Sequence, residues 1–222
     1  VATIFSLTAL VALSLAGPLQ DAAARNPASR EVITLEIWTI EDTLIHQDGS
    51  SPEERLLREA RYTLSGMIYG WDFSYTPGDR LRQVEELFHL EPLGTVPWGA
   101  PELRLRETRV RDGTRYGQFD YRLPPEAQAH RSQWESFASL HSSGTARADL
   151  LEGYQGKIAA LEKALHQAVR EHLRPRHPNK PHQVRGSLVL SRPPRIRTVS
   201  GYYEATVTIA LEIRDATDYL LF

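Results

Sequence analysis

The sequence predicts an α+β fold: a mostly antiparallel sheet with helices packed on one face, preceded by a signal peptide. Three observations point there. Several short stretches alternate apolar and polar residues, as half-buried strands do. Others carry apolar residues three and four apart, as one face of a helix does. Short turns such as Asp112-Gly113 join neighbouring alternating stretches, which implies antiparallel pairing.

Residues Val1 to Ala16 form an uncharged apolar run, broken by Gly17 and Pro18 and followed by Ala22, Ala23 and Ala24. That order of apolar region, polar region and small-residue site is the pattern of a secretory signal peptide over residues 1–24. The run falls short of the roughly 20 apolar residues that span a bilayer. No initiator Met and no basic region precede Val1, so the start is expected to be truncated or to use a non-AUG codon. Residues 25–30 (RNPASR) read as a linker, and 31–222 as a single α+β domain.

Within that domain, Glu31 to Ile40 alternates, with Ile33, Leu35 and Ile37 on one face, and predicts a strand. Ser51, Pro52 and Glu54 form an N-cap, a first-turn proline and a capping box, opening a helix that ends near Gly70. Trp71 to Pro77 predicts a strand with Trp71, Phe73 and Tyr75 on one face. Pro77 to Phe88 predicts a second helix through Leu81, Val84, Leu87 and Phe88. The proline- and glycine-rich 91–101 segment predicts an irregular loop. Leu103–Arg111 and Thr114–Leu123 predict a hairpin whose first strand is wet and basic on its outer face. A helix follows Pro124-Pro125 through Trp134 and Phe137, and His141 to Thr145 (HSSGT) is expected to break it. The longest helix is expected over about Ala148 to Leu173, with a seam through Leu151, Tyr154, Ile158, Leu161, Leu165, Ala168 and His172. Strands at about 183–190 and 202–214 close the chain.

Composition excludes several classes. The 222 residues carry 28 acidic and 26 basic side chains and no cysteine. Near-neutral net charge argues against a nucleic-acid partner. Without cysteine there is no disulfide framework, thiolate metal site or cysteine nucleophile, and export to a bacterial periplasm or the cell exterior fits such a chain. The G-x-S-x-G, H-E-x-x-H, G-x-x-x-x-G-K and G-x-G-x-x-G patterns are absent. No cofactor is expected. No metal site is expected either, because His166 and His172 are six apart and face different directions on a helix, with His177 and His182 beyond it among basic residues.

Charge is uneven. Arg170 to Arg197 holds eight basic residues and one acidic, whereas residues 25 to 100 hold thirteen acids and seven bases. This nominates Arg174, Arg176, Lys180 and Arg185 as contacts for an anionic envelope component or an acidic protein. Trp98, in its proline-glycine loop, is nominated as a partner contact. The resulting reading is an exported envelope protein, periplasmic or extracellular, without a membrane span in its mature chain, acting as a non-catalytic binding or structural domain. The rival is an exported hydrolase of an envelope polymer, using Asp72, Asp79 or another carboxylate near the aromatics Tyr62, Tyr69, Trp71, Phe73 and Tyr75.

Overall fold

The computed structural model describes residues 31–42, 45, 49–136, 141–176 and 180–219. The expected signal peptide, the linker, Phe137 and His177 lie outside the described residues. The elements run β1 (Val32–Ile40), α1 (Pro52–Ile68), β2 (Trp71–Thr76), β3 (Leu87–Pro92), β4 (Leu103–Arg111), β5 (Thr114–Arg122), α2 (Pro125–Ser136), β6 (His141–Asp149), α3 (Gly153–Leu173), β7 (Gln183–Leu190), β8 (Arg195–Val199) and β9 (Tyr202–Thr217). The fold is mixed α+β with antiparallel pairing throughout, but the strands form two sheets rather than one.

The smaller sheet has the order β1-β5-β4. Alternation in β1 sends Ile33, Leu35 and Ile37 inward, where they join Phe119 and Tyr121 of β5. Helix α1 covers this face with Leu56, Ala60, Leu64 and Ile68, all fully buried and spaced four apart. The helix starts as expected. The Glu54 N–H donates to Ser51 Oγ at 3.1 Å, and Pro52 occupies the first turn, where its missing N–H costs nothing. Gly70 then turns the chain at φ +74, with the Leu188 carbonyl so close that a Cβ would lie 2.1 Å from its oxygen.

The larger sheet runs β3-β2-β7-β9-β6, with β8 also paired to β9. Strand β9 spans both halves: Tyr202–Ala210 pairs with β6 on one side, while Tyr202–Thr206 pairs with β8 and Ile209–Thr217 with β7 on the other. Helix α3 lies on one face, burying Ala160, Leu161, Ala164, Leu165, Ala168 and Val169 against Trp71, Phe73 and Tyr75 of β2 and the odd-numbered residues Tyr203 to Leu211 of β9. Packing on a sheet is what the apolar seam of this helix leads one to expect, although Leu151 is 72% exposed and a short 3-10 turn precedes Gly153.

Three local expectations are corrected. Pro77 to Phe88 is not a helix. The Asp79 carboxylate accepts the N–H groups of Leu81 and Arg82, Gln83 adopts φ 56, Leu81 is 97% exposed, and Phe88 enters β3 opposite Tyr75. An aspartate that bonds the backbone ahead of it favours a turn over a helix. His141 to Thr145 does separate the two helices, but as the start of β6. Its small residues are there because α3 presses on the strand: a Cβ on Gly144 would meet the Ala164 carbonyl oxygen at 2.2 Å, and Ser142 Oγ donates to the Ala168 carbonyl. Finally, β8 was not expected; its alternation is hidden by three arginines around Ile196 and a preceding Pro-Pro pair.

A buried ion pair joins the two sheets. Lys157 of α3 and Glu59 of α1 meet at 2.7 Å with side chains 4% and 5% exposed. The same ammonium donates to the Trp38 carbonyl of β1 and lies 3.8 Å from the Trp38 ring centroid. Trp38 in turn donates through Nε1 to the Ile196 carbonyl of β8 at 3.2 Å. Burial pushes the Glu59 carboxyl up and the Lys157 ammonium down, and each partner's charge opposes that change.

Removing one partner should therefore cost more than removing both. Lys157→Met is expected to destabilise the protein by about 3–5 kcal/mol in urea unfolding, because it leaves a buried carboxylate uncompensated. The Lys157→Met/Glu59→Leu double variant should recover part of that loss. A double variant whose loss equals the sum of the two singles would contradict this account.

Candidate functional site

The C-terminal end of α3, the turn after β2 and the chain entering β7 enclose two adjoining hollows of about 1060 and 490 Å3. They share Gly78, Glu86, Arg170 and Lys180, and so form one cleft. Pro77-Gly78 ends β2, and the turn that follows closes through Asp79 N–H to the Val84 carbonyl at 2.9 Å and Val84 N–H to the Asp79 carbonyl at 2.8 Å. Arg82 pairs with the Asp79 carboxylate at 2.6 Å and stacks on Tyr219 at 4.5 Å. Burial raises the Asp79 carboxyl, but the N–H groups of Arg82 and Leu81 and the Arg82 charge outweigh it and hold the group below its ordinary value. Lys180 reaches across to the Gly78 carbonyl at 2.6 Å, fastening the entry of β7 to the turn after β2. The Tyr219 hydroxyl, also at the cleft, is buried without a hydrogen-bond partner among the described residues.

On the floor, Glu86 is held by three side chains from two elements, β2 and α3. Tyr75 of β2 donates to Glu86 Oε1 at 2.6 Å, His166 Nε2 of α3 lies 3.3 Å from the same oxygen, and Arg170 Nη1 lies 3.7 Å from Oε2. The His166 contact is off the hydrogen-bond direction, so the attraction between them is electrostatic. The His166 ring stacks on Phe88 with centroids 4.7 Å apart. Burial lowers His166, and the Glu86 charge offsets this only in part, leaving the imidazole below its ordinary value. Burial raises the Glu86 carboxyl, but the Tyr75 hydroxyl and the His166 and Arg170 charges outweigh it, leaving Glu86 below the usual carboxylate value.

Five basic residues (Arg80, Arg82, Arg170, Arg174, Lys180) and four acidic ones (Asp79, Glu86, Glu171, Asp218) line the cleft. Their pairing is uneven. Arg82 is matched to Asp79 and Arg170 to Glu86. Among the described residues, no carboxylate forms an ion pair with Arg80, Arg174 or Lys180. Glu171 and Asp218 likewise form no ion pair among the described residues, so five basic and four acidic side chains leave the cleft with an excess of one positive charge.

Of the residues nominated from sequence, Arg174 and Lys180 meet in this cleft. The others do not join them. Arg176 donates to the His172 carbonyl at 2.8 Å, closing the end of α3. Arg185 lies on the exposed face of β7 and donates to Gln183. Trp98 is 56% exposed and packs on Arg61 at 5.0 Å, beside a separate hollow of about 230 Å3. The carboxylate pair of the hydrolase reading is not assembled. Trp71, Phe73 and Tyr75 fill the core, while Asp72 points to the opposite face of β2, where it pairs with Arg214 at 2.6 Å and accepts from Ser187. Tyr75, Glu86, His166 and Arg170 were missed as a group because a helix was expected where the turn and β3 lie. The one available signal was His166 and Arg170, four apart on a single helix face. Among the described residues, no group of three or more His, Asp or Glu could hold a metal ion.

Because Glu86 sits below its unfolded value of 4.5, its ionised form stabilises the fold above that pH, and the contribution disappears as pH falls through the lower folded value. Glu86→Gln should therefore lower the urea midpoint at neutral pH, and the gap to the parent protein should narrow progressively in acid. A gap that stays constant down to the acid limit would contradict the assigned ion pairs.

Three comparisons frame these observations. A family model matches residues 19–219. An uncharacterized protein of Treponema pallidum (strain Nichols) is 28% identical over 197 residues, covering 86% of this chain and 83% of the relative. No solved structure matches significantly. No helix of the described residues is long and apolar enough to cross a membrane. The chain belongs to a family of uncharacterized proteins whose model covers nearly all of its length after the first 18 residues.

Proposed function

We propose that the protein is an exported envelope domain, periplasmic or extracellular, that binds an anionic ligand in the cleft at the end of α3 without transforming it. The observation that carries this reading is the set of cations Arg80, Arg174 and Lys180, which line a concave site and lack carboxylate partners among the described residues. Guanidinium and ammonium groups of this kind recognise phosphate or carboxylate oxygens through charge-assisted hydrogen bonds. The ligand is then a phosphate- or carboxylate-bearing envelope component, or an acidic segment of another protein. Export rests on the apolar run and small-residue site of residues 1–24.

The hydrolase reading retains one favourable observation, the contact of Glu86 with His166 beside the cleft. Glu86 is nevertheless held ionised by Tyr75 and Arg170, which suits an electrostatic anchor better than a proton donor.

Calorimetric titration with inorganic phosphate tests the binding reading. The parent protein should bind, and Arg174→Gln/Lys180→Gln should bind about tenfold more weakly, the equivalent of about 1.4 kcal/mol. Equal affinity would overturn the assignment. Export is tested separately by amino-terminal sequencing of the protein from its native host. A first residue of Arg25 is expected; a cytosolic product that retains Val1 to Ala24 would contradict it.

A further inference from the structure

A second charged surface lies far along the larger sheet, on the face opposite α3. Alternation puts Tyr203, Ala205, Val207 and Ile209 of β9 into the core and turns Glu204, Thr206 and Thr208 outward. The strand register builds rows across this outer face. Arg147 of β6, Glu204 and Arg197 of β8 make one row, and Thr145, Thr206 and Arg195 the next. Ser143 and Thr208 make a third, which Arg192 completes by donating to Thr208 Oγ1 at 3.0 Å. Successive rows are two residues apart along a strand, or about 7 Å. The backbone positions of Arg197 and Arg195 are therefore about 7 Å apart on β8, and Arg192, outside the strand, is held at the third row by its bond to Thr208.

The surroundings of these three arginines are donors. Thr145 and Thr206 exchange a hydrogen bond at 3.0 Å and Ser143 and Thr208 one at 3.2 Å, laying a strip of hydroxyls beside the arginines. The carboxylate in these rows, Glu204, is already clamped: Arg147 Nε reaches one oxygen at 2.7 Å and Arg197 Nε the other at 2.8 Å. Those two arginines hold Glu204 ionised and below its ordinary value, and their own charges exceed what one carboxylate cancels. Arg192 and Arg195 are exposed and in no ion pair among the described residues. Each guanidinium has five N–H donors in a planar fork suited to two phosphate oxygens at once.

We infer that this open face is a binding track for a linear polyanion with a phosphate in each repeat. A flat surface with cations in a row, rather than around a hollow, matches charges repeated along an extended chain. Charge complementarity selects the occupant: four arginines face outward against one carboxylate. The track shares no residue with the cleft, so the inference stands independently of the proposed small-anion site.

The test uses the full chain and fluorescein-labelled long-chain inorganic polyphosphate, followed by anisotropy at several salt concentrations. Arg192→Gln/Arg195→Gln is the variant of choice, because neither side chain belongs to an ion pair and the Glu204 clamp is left intact. The double variant should bind about tenfold more weakly, and its dependence of log affinity on log salt should flatten by about 1 to 2. Arg104→Gln/Arg111→Gln, on exposed β4 of the smaller sheet, should leave polyphosphate affinity unchanged. Unaltered binding by the double variant would overturn the inference, as would competition by orthophosphate at equal phosphate concentration. So would tight binding to phosphatidylglycerol vesicles with no binding to polyphosphate.

Discussion

The rest of the structure depends on one buried contact, Lys157 with Glu59 and the Trp38 carbonyl. Lys157 belongs to the helix of the larger sheet, Glu59 to the helix of the smaller one, and Trp38 to the strand of the smaller sheet that approaches β8. Each apolar cluster closes around its own helix, with α1 over β1 and β5, and α3 over β2, β7 and β9. Apolar burial is non-directional and does not by itself fix how two such layers are rotated. A charged group that must satisfy two acceptors on different elements does fix it, since any slippage strands a charge in an apolar environment. Trp38 adds a second directional tie through its ring nitrogen to Ile196, which steadies β8 at the border between the two sheets.

From that frame the charged surfaces follow. Helix α3 is held against β2, β6, β7 and β9, so its C-terminal turn, with Arg170 and Arg174, is fixed beside the turn after β2 and the start of β7. The cleft is thus formed from three rigid elements fastened by Tyr75 to Glu86 and Lys180 to Gly78. On the far face, the same strands that bury Tyr203, Val207 and Ile209 must expose Glu204, Thr206 and Thr208. Strand pairing across β9 brings Arg147 of β6 to the same surface as Arg195 and Arg197 of β8, and Arg192 reaches it through its bond to Thr208.

The parts of this arrangement that are legible in the sequence are those set by local chemistry. The cap at Ser51, the alternation of β1 and β2, the Asp112-Gly113 hairpin and the Leu161, Leu165, Ala168 and His172 part of the α3 seam each act within a few residues, and each is realised. The misreadings share a cause: partners distant in the chain decide the outcome. HSSGT lacks the bulk expected of a strand because Gly144 must let α3 come close. Leu81 and Val84 carry helical spacing, yet the Asp79 side chain captures the backbone first. The basic stretch from Arg170 to Arg197 reads as one patch in sequence, but β7 runs through it and separates Arg170, Arg174 and Lys180 at the cleft from Arg192, Arg195 and Arg197 at β8. Glu86 lay outside any sequence argument, because its significance arises only when β3 pairs with β2 and meets α3.

The central claim is that this protein recognises anions through cations placed by its two-layered frame. A residue-resolved NMR titration with orthophosphate examines it most directly. The account predicts saturable shifts confined to the resonances of residues 78–86, 170–174, 180 and 219, with β4 unmoved despite its four exposed arginines. Shifts spread evenly over every exposed arginine, β4 included, or no saturable shift at all, would contradict it.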